Sequence, residues 1–120
     1  MEQRQGAPRL WIKIDFAGRG QIGPGKIRLL RGIAEYRSIA AAARAMEMSY
    51  RRAWLLVDQM NKTFGQPVVE THTGGNARGG AELTPLGEEI VARYLELLEQ
   101  AQSGGDDKLQ ALAALIRRAD

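Results

Sequence analysis

The 120-residue chain has no cysteine and a single histidine, His72. Without cysteine there is no disulfide scaffold, no thiolate zinc site and no cysteine nucleophile. One histidine excludes a metal centre assembled from several. No apolar run approaches the ~20 residues of a membrane span, and the opening MEQRQGAPRL lacks the apolar core of a secretory signal. These absences predict a soluble, cytoplasmic protein. The length suits one domain with its own core.

Charge is plentiful but uneven. Residues 1–81 carry 13 basic and 6 acidic side chains, a balance of +7, whereas residues 82–120 carry 4 and 8, a balance of −4. A basic N-terminal two-thirds points to a polyanionic partner and the acidic remainder to a different neighbour. An unevenly charged solvated surface would give the same arithmetic, so composition alone leaves both readings open.

Residues 9–16 alternate, with Leu10, Ile12, Ile14 and Phe16 on one face and Arg9, Trp11, Lys13 and Asp15 on the other. This predicts a strand with one wet side. AGRGQIGPG breaks the pattern, and Pro24 suits the first turn of a helix over 24–36 whose inner positions are Ile27, Leu30, Ile33 and Ala34. Ser38 caps a short second helix, 39–46, with Ile39, Ala42, Ala43 and Met46 on one face. Ser49 caps a third, about 50–63. Its inner side gathers Ala53, Val57, Met60 and Phe64, with Trp54 at the edge packing beneath the helix; the other side carries Arg51, Arg52, Leu55, Gln59 and Lys62. Only Glu47-Met48-Ser49 joins the second helix to the third, which fits the steeply crossed pair of a helix-turn-helix.

Gly65-Gln66-Pro67 ends that helix. Residues 68–71 and 81–84 read as paired strands around a tip with four of the chain's 14 glycines, which together make a wing over 68–84. Thr84 caps and Pro85 opens a helix over 85–102. Leu86, Ile90, Tyr94, Leu97 and Ala101 form its apolar stripe, and Val91, Leu95 and Leu98 widen it. A helix packing only on its own core needs an arc of roughly 100°. The surplus predicts a second copy of the chain against Trp11, Val91, Tyr94, Leu95, Leu98, Leu109 and Leu112. Ser103-Gly104-Gly105 reads as a hinge and Asp106 as the cap of a last helix with Leu109, Leu112 and Ile116. The expected architecture is mainly α with a small antiparallel β component. It is a winged helix-turn-helix over 1–102 with an N-terminal strand and C-terminal dimerisation helices, residues 103–120 being too short for a separate domain.

Such a third helix fits the major groove, where each base pair offers a distinct donor and acceptor pattern. Arg51 and Arg52 suit guanine edges or phosphates, Gln59 suits adenine and Lys62 the backbone. A solvated helix face would hold the same residue types. THTGGNARGG lacks the Lys-Ser/Thr ending of a nucleotide loop. It reads as a plain hairpin tip or as a wing whose Asn76 and Arg78 touch phosphate or the minor groove. His72 has no nucleophile beside it and reads as a surface residue, while Glu88, Glu89, Glu96 and Glu99 form a solvated face. No convergent acid, base or metal set is present, so the chain is not expected to be an enzyme, and DNA binding of this kind needs no cofactor.

SIAAAARAMEMSYRRAWLLVDQMN resembles the helix-turn-helix of LysR-type regulators and, more closely, that of molybdate-responsive (ModE-type) regulators. The matching residues are Ser49-Tyr50-Arg51-Arg52-Ala53-Trp54 and Met60-Asn61. A wing of Thr73-Gly74-Gly75 and Gly79-Gly80 follows, with Leu83-Thr84-Pro85-Leu86-Gly87 after it; in all the resemblance covers about 9–102. It implies a dimeric winged-helix regulator on a pseudo-palindromic duplex. Taken with the residue reading, it assigns the DNA face to Ser38, Ser49, Tyr50, Arg51, Arg52, Leu55, Gln59 and Lys62, with Gly74, Gly75, Asn76 and Arg78 on the wing. Full-length members carry C-terminal oxyanion sensors, which this sequence does not contain, so the expectation is either that a separate effector-sensing protein or subunit supplies the signal or that the chain acts constitutively. The competing reading is a winged-helix interaction module that modulates another regulator through its acidic C-terminal part, without base readout.

Overall fold

The structure, a computed structural model, describes residues 8–72 and 80–117. Its order is β1 (Ile14–Asp15), β2 (Gln21–Ile22), α1 (Pro24–Tyr36), α2 (Ile39–Ala45), α3 (Tyr50–Phe64), β3 (Val69–His72), β4 (Gly80–Leu83), α4 (Pro85–Gly104) and α5 (Asp106–Ala113). This is a winged helix, mainly α with two antiparallel strand pairs.

The helices begin where side-chain oxygens take up orphan backbone donors. Ser38 Oγ accepts from Ala41 N, Ser49 Oγ from Arg52 N and Thr84 Oγ1 from Gly87 N, all at 3.0 Å. Gly65 ends α3 in the left-handed conformation at φ 71°. Between α2 and α3, Glu47 takes φ 58°, the one left-handed residue of that turn. Leu29, Leu30 and Ile33 of α1 are fully buried together with Ala42, Ala43, Ala53, Val57, Met60 and Val68. The small alanines of α2 let it close on α1, and Gly32 leaves room for the Ala42 side chain.

Several expectations change. The segment 9–16 keeps its alternating burial, but only Ile14 and Asp15 pair with a strand, Ile14 opposite Ile22 and Asp15 opposite Gln21. The earlier part is held by α4 side chains instead: Leu10 N donates to Gln102 Oε1 at 2.9 Å, and Tyr94 OH donates to the Ile12 carbonyl at 2.7 Å. Tyr94 is therefore 5% exposed inside its own protomer, which corrects its assignment to an intermolecular face. Position 106 does not cap α5; the N-cap is Gly105, with Asp106 and Asp107 in the first turn. Ser103 and Gly104 stay in α4, so the break narrows to Gly105, and Ile116 lies beyond the end of α5.

Candidate nucleic-acid interface

One side of α3 closes the core through Ala53, Leu56, Val57 and Met60. The opposite side is open: Tyr50, Arg51, Arg52, Leu55, Asp58, Gln59 and Lys62 are exposed. Trp54 corrects the sequence reading. It is 37% exposed and meets the Tyr50 ring edge to face at 6.3 Å, rather than packing beneath the helix. Leu56, which the periodicity reading passed over, takes the inner place because the β1–β2 hairpin covers that flank; Leu56 shares a cleft with Ile22 and Pro24. The buried stripe is thereby rotated away from Trp54.

Lys62 Nζ sits 3.1 Å from Asp58 Oδ2 one turn earlier, both side chains well exposed. Such an exposed pair contributes no more than about 1 kcal/mol. Ser38 and Ser49 use their oxygens as caps, and each keeps a hydroxyl proton to donate.

The wing is anchored to α3. Asn61 Oδ1 accepts from Val68 N at 2.8 Å, so a residue in the last turn of α3 also sets where β3 starts. Thr84 Oγ1 donates to the Pro67 carbonyl at 2.9 Å, and the Val68 carbonyl receives Thr84 N at 3.1 Å. A Cβ on Gly87 would lie 2.2 Å from that same carbonyl oxygen, so glycine is required there. The wing residues Gly74, Gly75, Asn76 and Arg78 lie outside the described residues.

At the wing base, Glu70 and Glu82 face each other across the ladder. His72 Nε2 lies 2.9 Å from Glu82 Oε2, and Arg37 lies 3.9 Å from the other Glu82 oxygen. Glu70, His72 and Glu82 bring their ligand atoms within 4.8 Å of one another. The sequence reading treated His72 as a bare surface residue; strand register supplies its partners.

Lys26 Nζ donates to the Gln21 carbonyl at 2.9 Å. Partial burial, with nearby Lys13 second, holds its pKa below the usual lysine value. Among the described residues, no helix is long and apolar enough to cross a membrane.

Comparison with known proteins places this geometry. Residues 25–88, more than half the chain, match the bacterial regulatory helix-turn-helix protein, lysR family. Molybdenum-pterin-binding protein MopA of Rhodobacter capsulatus is 34% identical over 117 residues, covering 89% of this chain and 44% of that protein. Transcriptional regulator ModE of Haemophilus influenzae is 40% identical over 81 residues, 68% of this chain and 31% of the regulator. The DNA-binding transcriptional dual regulator ModE of Escherichia coli K12 is 38% identical over 86 residues, 72% of this chain and 32% of its own length. The chain spans less than half the length of these curated relatives. The crystal structure of a CbnR_DBD–DNA complex shares the fold at a TM-score of 0.57 and 24% identity, covering 73% of this chain and 95% of that one. The chain belongs to the lysR family of bacterial regulatory helix-turn-helix proteins.

Proposed function

We propose that this chain binds duplex DNA sequence-specifically as a homodimer, with α3 in the major groove and the Gly-rich wing on the backbone or minor groove. The observation that carries the reading is the two-sidedness of α3. Its inner stripe is buried, while Arg51, Arg52, Leu55, Gln59 and Lys62 line the outer side. Arginine offers a bidentate fork to guanine and glutamine to adenine, and Leu55 and Trp54 offer apolar contact to a thymine methyl group. Gly74, Gly75, Asn76 and Arg78 complete the contact from the wing, with Ser38, Ser49 and Tyr50 donating to phosphates.

The dimer rests on apolar surface that one protomer leaves uncovered. Trp11 is 62% exposed, with the Arg9 guanidinium 5.6 Å from its ring centroid. Trp11, Leu95 and Leu98 line a cleft of about 260 Å³. Val91, Leu109 and Leu112 extend this surface along α4 and α5, and no residue of α5 is buried. Two protomers would address half-sites about one helical turn, ~34 Å, apart.

Selection of bound duplexes from a random pool at physiological salt tests the reading. A recovered two-fold-symmetric motif supports it; binding only at low salt, with no motif, overturns it in favour of an interaction module. Against the recovered motif, Arg52→Ala should cost about 1–3 kcal/mol and relax preference at one position. Uniform weakening over all sequences would move Arg52 to the backbone.

A further inference from the structure

The exposed side of α3 does not end at the helix. Arg52 and Gln59 form one wall of a cleft of about 290 Å³ whose other walls are the β1–β2 hairpin and the start of α1, which contribute Lys13, Gln21 and Lys26. Three cations line this cleft and no carboxylate does. Among the described residues, none of the three has an acidic side chain within ion-pair distance, whereas Arg37, Lys62 and Arg93 each do. Gly23 and Gly25 form part of the floor, and a Cβ at Gly25 would meet nothing within 4 Å, so no side chain bars approach there.

We propose that Lys13 and Lys26 form a clamp for the sugar-phosphate backbone of the DNA flanking the half-site read by α3. The proposal rests on the DNA-binding reading above and assigns to it two residues from outside the helix-turn-helix and the wing. Charge explains the occupant. Unneutralised ammonium groups sharing a cleft repel, and a phosphate between them removes the repulsion while accepting hydrogen bonds from both. Lys26 uses one of its three protons on the Gln21 carbonyl and keeps two for an anion. Gln21 belongs to β2 and Lys13 immediately precedes β1, so the hairpin acts as a second backbone-gripping element on the α1 side of α3. Because Arg52 lines the same cleft, a strand held there runs directly into the groove that α3 would occupy.

Phosphate contacts release counterions, so each steepens the salt dependence of log K by about 0.9. Removing both lysines should flatten the slope by ~1.8 per protomer. Over a tenfold rise in salt, the native chain then loses about 60-fold more affinity per protomer than the double variant. The experiment titrates the native chain, Lys13→Gln/Lys26→Gln, Lys13→Arg/Lys26→Arg and Lys108→Gln against a fluorescent duplex of ~30 base pairs, about three helical turns. The duplex carries the selected motif or, in parallel, a mixed sequence. The Gln pair should lower the slope while preserving the motif preference, and the Arg pair should restore the slope. Lys108→Gln, on α5, should match the native chain. Circular dichroism and thermal unfolding confirm the fold of each variant. An unchanged slope in a folded Gln pair, with native binding intact, overturns the clamp alone. An altered base preference overturns it too, by moving the lysines to base readout. Failure of the native chain to bind either duplex removes the DNA reading and the clamp together.

Discussion

Asn61 shows how a residue of α3 can matter through the fold alone. Its Oδ1 satisfies Val68 N at the entry to β3, where Val68 itself is fully buried. Deleting that acceptor strands a backbone donor, at a cost of about 1–3 kcal/mol. Asn61→Ala should lower thermal stability by that amount, whereas Asn61→Asp, which keeps an oxygen in place, should lose less; equal losses would show that the bond contributes nothing of its own. Gly87 acts in the same joint through absence of a side chain, because the Val68 carbonyl occupies the space of its Cβ. The motif Leu83-Thr84-Pro85-Leu86-Gly87 was legible as a cap followed by a helix. That its last residue is a steric requirement set by a backbone carbonyl 19 positions earlier was not, since nothing local to Gly87 encodes where Val68 lies.

At the scale of elements, α3 is where periodicity stopped short. Ala53, Val57 and Met60 mark the inner stripe, and either Trp54 or Leu56 could widen it at ~100° per residue. Size and apolarity favour Trp54, yet the β1–β2 hairpin lies on the Leu56 flank and buries that side chain instead. A measurement separates the two arrangements. Trp54→Ala should cost no more than about 1.5 kcal/mol, the range of an aromatic pair; a loss of ~3–5 kcal/mol would mark a core tryptophan. The hairpin itself was only half legible. The alternation over 9–16 survives as alternating burial, but β2 is two residues long and sits in a glycine-rich stretch that reads as irregular. Ladder pairing over two residues leaves too little period to detect.

At the scale of the molecule, the extents of 59 × 32 × 25 Å describe an elongated protomer. α4 extends past the core, and Leu112 of α5 is exposed together with Leu115 and Ile116 that follow the helix. Exposed apolar surface of this extent usually marks an interaction site. On the dimer reading, Leu95→Glu/Leu98→Glu should shift the sedimentation coefficient from dimer to monomer while circular dichroism stays unchanged. A native chain that sediments as a monomer at micromolar concentration would remove the dimer from the proposal. Tyr94 should be left out of such a set: its hydroxyl bonds the Ile12 carbonyl, and its ring belongs to the protomer's own core.

By itself the sequence determined what is local. Ser38, Ser49 and Thr84 mark helix starts because a capping oxygen reaches only three residues ahead, and Gly65 marks an end because φ 71° suits glycine. Those signals, with the apolar stripes between them, suffice for the order of a winged helix-turn-helix. Tertiary structure decided every matter that depends on which of two available faces meets a neighbour. It buried Leu56 and exposed Trp54, drew Tyr94 inward to a carbonyl 82 residues away, paired His72 with Glu82 through strand register, and brought Lys13, Lys26 and Arg52 around one cleft. A helix's periodicity states how many faces it has, and only packing in three dimensions assigns them partners.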